Sequence, residues 1–283
     1  MPELPEVETV RRGLNQVTLS QEITGGDVLL ARTIAYPLSM EEFLDGVKEA
    51  AIAQWYRYGK YLLAELRTPS QPAGWLGVHL RMTGQLLWLC RDEPLQKHTR
   101  VRLFFAQERE LRFVDQRTFG QMWWIPPGVA TESVITGLGR LGLDPFSADF
   151  SVEYLAKKLL CSRRPIKTAL LDQAIVAGLG NIYADEALFL SGVRPETLCT
   201  NLQMGQIERL RTAIIQVLET SIAAGGTTFS NFLNVQGING NYGGVAWDYN
   251  RTGEPCRVCT TPIQRMRLAG RSSHFCPKCQ DNS

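Results

Sequence analysis

Four cysteines in two tight pairs constrain this chain more than anything else in it. Cys256-Arg257-Val258-Cys259 and Cys276-Pro277-Lys278-Cys279 stand sixteen residues apart. A C-x2-C pair sets two thiolates on one turn, and two such turns complete a tetrahedral zinc site. A redox C-x-x-C or a chance pair are the rival readings, and neither accounts for a second pair at this spacing. Between the pairs, Ile263 to Leu268, then Ala269-Gly270, then Arg271 to Phe275 read as two short strands about a turn. The pattern predicts a β-hairpin finger holding one structural Zn2+. So small a hairpin has almost no core, and its metal must supply the folding energy. Residues 250–283 carry six Lys/Arg (251, 257, 265, 267, 271, 278) against two acids (254, 281). Most charge clusters are solvated faces, but a basic tail of this kind suits nucleic acid. Cys90, Cys161 and Cys199 are isolated and read as small buried hydrophobes.

The chain before the finger is long enough for more than a finger. Its 283 residues fit two domains at ~100–200 residues each. With 44 % apolar and 20 % charged residues, disordered, collagen-like and coiled-coil classes fall away. A formal charge of +2 names no partner. No apolar run approaches the ~18 residues of a membrane span. The opening, Met1-Pro2-Glu3-Leu4-Pro5-Glu6, lacks a basic stretch leading into an apolar core, so the expectation is an intracellular, cytoplasmic protein without signal peptide or membrane partner. Residues 5–14 read as a helix, with Pro5 at its start, Gly13 as its C-terminal cap, and Val7, Val10 and Leu14 on one face. Residues 20–125 are mostly short β-branched and aromatic segments broken by turns, which argues for a β-sandwich or barrel. After Pro126-Pro127-Gly128 the period changes. Residues 151–160, 166–176, 181–191 and 204–223 read as helices, followed by a polar Gly/Asn-rich stretch to about Gly244. The expected organisation is a catalytic domain over 1–130, a linker over 131–150, a helical domain over 151–245 and a finger over 246–283.

The N-terminus carries potential chemistry. Pro2 is small enough for removal of Met1 to be expected, which leaves a free secondary amine. An amine with a pKa near neutral can attack an electrophilic carbon and form an iminium. Glu3 sits beside it and Glu6 one turn along, where carboxylates can exchange protons. Taken alone, acids at a helix start usually just complement the dipole.

The whole opening, Pro2-Glu3-Leu4-Pro5-Glu6-Val7-Glu8-Thr9-Val10-Arg11-Arg12-Gly13-Leu14, closely resembles that of the formamidopyrimidine-DNA glycosylase family. So do Gly59-Lys60-Tyr61-Leu62-Leu63, His79-Leu80-Arg81-Met82-Thr83-Gly84, Lys97-His98, Arg117-Thr118-Phe119-Gly120, Gly178-Leu179-Gly180-Asn181-Ile182-Tyr183-Ala184 and the four-cysteine finger, in the family's order. The resemblance implies an α+β fold: an N-terminal helix with a β-sandwich, then a helix–two-turn–helix domain with a β-hairpin zinc finger. It implies a monomeric DNA N-glycosylase and AP lyase acting on double-stranded DNA that contains oxidised purines or abasic sites. Pro2 is then the nucleophile, Glu3 the acid at the sugar ring oxygen, and Glu6 a pocket residue. Lys60 is assigned to proton transfer in β-elimination and Arg271 to δ-elimination and phosphate grip. Met82, Arg117 and Phe119 match the residues that fill the hole left by a flipped nucleotide. His98, Arg163, Lys167 and Asn181 match DNA contacts, although Arg164 could replace Arg163 and Asn181 could be an ordinary helix cap. Thr227, Thr228 and Tyr242 fall in the region of the family's lesion-capping loop. Gln116 and Thr118 depart from the family's usual Pro and Arg, which bears on partner-base preference. Leu4 with the Met82–Arg117–Phe119 set favours this family over the endonuclease VIII type, which prefers oxidised pyrimidines. A non-catalytic zinc-ribbon DNA-binding protein would have no reason for Pro2, Glu3 and Lys60, and an N-terminal-proline tautomerase none for the finger.

Overall fold

The computed structural model describes residues 1–227 and 232–280. It resolves into two compact units, Met1–Gly139 with Ala224–Asn241, and Arg140–Ala223 with Tyr242–Ser283.

The first unit opens with helix α1 (Leu4–Val17), whose buried Val7, Val10 and Leu14 form the expected apolar face. The helix runs past Gly13 rather than ending there. A Cβ on Gly13 would lie 2.2 Å from Val235 Cγ2, so this glycine serves a close approach, not a cap. Nine strands follow: β1 (Gly25–Val28), β2 (Ile34–Tyr36), β3 (Ala51–Tyr58), β4 (Tyr61–Arg67), β5 (Pro72–His79), β6 (Gly84–Cys90), β7 (Thr99–Phe104), β8 (Arg109–Asp115) and β9 (Gln121–Ile125). They form sheets in the orders β1-β7-β8-β6 and β2-β9-β5-β4-β3. Inward residues of both sheets share one core, from Trp55, Leu62 and Leu76 to Leu86, Val101 and Phe113, and Val7, Val10 and Leu14 of α1 join it. Alternation of buried and half-buried positions along β7 is what one-sided burial requires. One element was not expected in this β-rich stretch. Helix α2 (Met40–Val47) is started by the Ser39 side chain, which accepts from Glu42 N, and it buries Phe43 and Val47 at helical spacing.

The expected linker over 131–150 is only partly a linker. Its first residues form the single turn α3 (Thr131–Val134), and Ile135 beyond it is buried with Leu63, Trp123 and Ile125 in the first unit. The stretch Ala224–Asn241, expected with the helices, also belongs to the first unit. Trp88 N donates to Val235 O at 2.9 Å, and Phe232 and Val235 lie in the sandwich core.

The second unit contains α4 (Val152–Leu159), α5 (Ile166–Leu170), α6 (Asn181–Ser191) and α7 (Met204–Ala223). Helix α5 is shorter than the 166–176 expected. Asp172 Oδ1 accepts from Ala174 N at 3.0 Å and Gln173 Oε1 from Gly178 N at 3.0 Å, so side chains take over the backbone partners that a helix would use. Strands β10 (Gln264–Leu268) and β11 (Arg271–Phe275) make the expected hairpin. Its two turn residues, Ala269 (φ 46°) and Gly270 (φ 80°), both hold the positive φ that a tight two-residue hairpin demands. No helix among the described residues is long and apolar enough to cross a membrane.

Candidate functional site

In the first unit, the predicted residues gather about the start of α1. Pro2, Glu3 and Glu6 are buried. Glu3 N donates to Glu6 Oε2 at 2.8 Å, so the E-x-x-E spacing reaches back over the helix start. Glu6 Oε1 accepts from Thr227 N at 2.9 Å, which ties Thr227 to the same turn. Burial pulls the terminal amine of Met1 below its ordinary pKa. Glu3 and Glu6 act against that shift, and the charges of Lys60 and Arg117 add to it. Lys60, just before β4, is only 7 % exposed. Pro2, Met82, His98 and Phe232 line one pocket of about 230 Å³.

Met82 and Phe119 are 36 % and 53 % exposed, an unusual state for large apolar side chains, and the Arg117 guanidinium lies 5.1 Å from the centre of the Phe119 ring. His98 is half-buried, with Nδ1 3.2 Å from an Arg100 nitrogen. His79 is a residue of a different kind. Burial, with the charges of Arg81 and Lys60, pulls its pKa down to about 3, so the ring is neutral and its Nδ1 accepts from Arg81 N at 3.0 Å.

In the second unit, the predicted residues divide between surface and interior. Arg271, Arg163 and Arg164 are all exposed, and Arg164 is bonded to Asp172 at 3.0 Å. Lys167 is only 1 % exposed. Its ammonium donates to Asp185 Oδ1 and to Ser272 O, both at 2.6 Å, so this lysine supports the hairpin beside Arg271 rather than facing solvent. Asn181 is the first residue of α6, after an N-cap at Gly180, and its Nδ2 donates to the same Ser272 carbonyl at 3.2 Å. Tyr242 is buried, and its hydroxyl donates to Glu186 Oε2 at 2.9 Å. Its side chain therefore packs inside this unit. Thr228 lies outside the described residues. Of the lone cysteines, Cys199 is buried as expected, Cys90 is half-buried and Cys161 is exposed.

Two acids that the sequence reading passed over organise this unit. Asp185 and Glu186 are adjacent and fully buried in the middle of a mostly apolar helix. Asp185 Oδ2 accepts from the backbone N of His274 at 3.0 Å, and Glu186 accepts from the backbone N of Trp247, Asp248 and Tyr249 at 2.9–3.1 Å. The available signal was a pair of charges inside a helix with no polar face, since buried carboxylates survive only with donors around them.

The four finger cysteines bring their sulfur atoms within 4.8 Å of one another. Cys256 and Cys279 sulfurs are 3.8 Å apart, and those of Cys259 and Cys276 are 3.4 Å apart. Tetrahedral zinc with bonds of about 2.3 Å sets ligand sulfurs ~3.8 Å apart, so the donor set fits the ion. The backbone N–H groups of Val258 and Cys279 point at Cys256 and Cys276 sulfurs at 3.4 Å, the outer hydrogen bonds that thiolate ligands use. The four cysteines would hold one Zn2+, which supplies folding energy to a hairpin rooted on Phe189, Ile263 and Trp247.

An N-terminal amine caged by carboxylates on a β-sandwich, with a helical unit bearing a four-cysteine finger, defines a class of DNA-repair architecture, and comparison with known proteins narrows it. Residues 1–122 match the formamidopyrimidine-DNA glycosylase N-terminal domain, 141–232 its H2TH domain, and 253–282 a zinc finger found in FPG and IleRS. The formamidopyrimidine-DNA glycosylase of Nostoc punctiforme is 78 % identical over 280 residues, covering 99 % of this chain and 96 % of that protein. That of Nostoc sp. is 74 % identical over 282 residues, covering 99 % and 100 %. Among solved structures, a variant Lactococcus lactis FPG bound to Fapy-dG-containing DNA aligns with a TM-score of 0.90 at 34 % identity, covering 99 % of this chain and 100 % of that one. Lactococcus lactis Fpg with abasic-site DNA aligns at 0.89 and 33 % over the same shares. The chain belongs to the formamidopyrimidine-DNA glycosylase family.

Proposed function

We propose that this protein is a bifunctional base-excision repair enzyme that removes oxidised purines, 8-oxoguanine and formamidopyrimidines, from duplex DNA and then cuts the strand. The observation that carries the proposal is the amine cage of the first unit. Burial and the charges of Lys60 and Arg117 favour the uncharged form of the Met1 amine, and with Met1 removed the buried Pro2, which lines the pocket, would present its own amine beside Glu3 and Glu6. The relatives solved with Fapy-dG and abasic-site DNA support the substrate class.

A base in the stack is out of reach of a buried amine, so the nucleotide is flipped out at a cost of a few kcal/mol. With Met1 removed, Pro2 nitrogen attacks the sugar C1′ and the bond from C1′ to the base breaks. Glu3 delivers a proton to the ring oxygen, the ring opens, and an iminium remains. Its positive charge acidifies the C2′ proton. Lys60 serves that proton transfer, the 3′ phosphate leaves, and a second elimination assisted by Arg271 releases the 5′ phosphate. Glu6 shapes the pocket and holds Thr227 at the head of the capping loop. Met82, Arg117 and Phe119 occupy the hole in the stack and meet the orphaned partner base. His98, Arg163 and Asn181 grip the backbone. Lys167 acts on that grip through the hairpin it supports. The reaction runs on DNA inside the cell with a single copy of the chain.

Borohydride trapping tests the proposal. A labelled duplex with one 8-oxoguanine opposite cytosine should give a covalent protein–DNA band that peptide mass maps to Pro2. Pro2→Gly should abolish the band, and an unchanged strand-cleavage rate in that variant would sink the catalytic reading.

A further inference from the structure

Met82 and the pair Arg117 and Phe119 stand on two separate loops of the first unit, after β5 and after β8. Resting on the reading just given, we propose that Thr83 and Asp115 clasp these two loops into one preformed wedge, and are thereby positioning residues for recognition of the partner base.

Asp115 closes β8 and is 1 % exposed. Its carboxylate reaches both loops. Oδ1 accepts from the Thr83 hydroxyl, next to Met82, and from Arg117 N at 3.2 Å. Oδ2 accepts from Gly120 N at 2.7 Å, just past Phe119. Thr83 Oγ1 in turn accepts from Arg117 N at 2.9 Å, which closes the link from one loop to the other. A Cβ on Gly120 would stand 2.4 Å from Phe113 Cζ and 3.0 Å from Asp115 Oδ2, so only glycine lets the carboxylate reach its N–H. The main chain is bent to fit: Arg81 and Thr118 both hold positive φ, 52° and 57°. The Arg81 N–H, which that bend turns inward, is taken by neutral His79. Asp115 N also donates to His98 O at 2.9 Å, so the same residue anchors the strand bearing a candidate backbone contact.

Two exposed apolar side chains on independent loops would each have to be ordered as they enter the stack. Clasped, they enter as one rigid body and that entropic cost falls. The clasp also fixes the Arg117 guanidinium, which carries donors only. Cytosine offers it two adjacent acceptors, O2 and N3, while adenine offers N1 alone. A fixed guanidinium therefore reads the difference, and a loose one blurs it.

Thr83 is half-buried, so its substitution spares the core. Thr83→Val keeps the shape and removes the hydroxyl, and Thr83→Ser keeps the hydroxyl. Excision of 8-oxoguanine opposite cytosine is compared with excision opposite adenine, with melting temperature as a check on folding. Thr83→Val should lower the cytosine-to-adenine ratio about tenfold, the scale of one lost charge-assisted hydrogen bond. Thr83→Ser should restore it. A second readout needs no chemistry: a fluorescent cytosine analogue opposite the lesion should brighten on binding to the parent and to Thr83→Ser, and less with Thr83→Val. A fall of both excision rates by one factor, or fluorescence unchanged in Thr83→Val, overturns the clasp. A parent that brightens the analogue but traps no covalent adduct defeats the catalytic reading and leaves the clasp standing.

Discussion

The pocket of the first unit and the root of the finger in the second both concentrate buried charge, and they use it in opposite ways. Around the start of α1, the charges of Glu3, Glu6 and Lys60 act on the Met1 amine, and the next residue, Pro2, lines a cavity. Around α6, Asp185, Glu186 and Lys167 are consumed by one another and by backbone N–H and C=O groups of the finger region. The first arrangement sets its charges around an amine. The second fastens a hairpin that has no core of its own. Two buried lysines therefore differ in surroundings: the charge of Lys60 acts on the terminal amine, and Lys167 holds the finger hairpin.

Removing the metal should break the comparison most severely. A structural zinc contributes about 10–16 kcal/mol in small fingers, so a strong chelator should unfold the hairpin and abolish duplex retention, while circular dichroism of the β-sandwich persists. Retention unaltered in chelator would show that the hairpin stands without its ion. Lys167→Met comes next. It strands Asp185 in the interior, and breaking such a pair costs about 3–5 kcal/mol, so the melting temperature should drop sharply. Lys60→Met should instead impair strand cleavage with little change in melting; equal losses of stability in the two variants would erase the distinction. Glu6→Gln should cost about 1–3 kcal/mol, because an amide cannot accept from both Glu3 N and Thr227 N as the carboxylate does.

Acid acts with a defined sign. Burial pushes the Glu8 carboxyl up, but hydrogen bonds from Arg11 and Arg12 and the charges of Arg11 and Arg57 outweigh it and hold the pKa at about 2 against an ordinary 4.5. That stability is complete above pH 4.5 and is lost as pH falls toward 2. His79 acts in the same direction. Unfolded, it takes a proton below pH 6.5, and folded only near 3, so stability declines across that window. Melting curves from pH 7 to 3 should fall steadily, and Glu8→Gln should flatten only the segment below 4.5.

The sequence exposed the features whose chemistry is local. Two C-x2-C pairs and runs of short β-branched and aromatic segments between turns each carry their meaning within a few residues. What it concealed depends on distant partners. Gly13 looked like a cap because its neighbour Val235 lies 222 positions on, and helical spacing cannot reveal that contact. Lys167 resembled a phosphate contact, since Asp185 and Ser272 meet it only in the folded unit. Helix α2 escaped notice because eight residues give barely two turns of periodicity. Asp115 and Thr83 sat inside recognised motifs, yet their link joins two loops and no single motif contains it.

The return of Ala224–Asn241 to the first unit also shapes how the protein can be made. Domains synthesised first ordinarily finish folding first. Here the sandwich waits, because Phe232 and Val235 complete its core and Val235 fills the notch over Gly13. A ribosome must carry the chain to Asn241, through all four helices of the second unit, before the catalytic half is whole. A gene fragment ending at Gly139 would therefore yield an unfinished sandwich, and a ribosome stalled anywhere before Asn241 would hold an amine site that cannot yet be assembled.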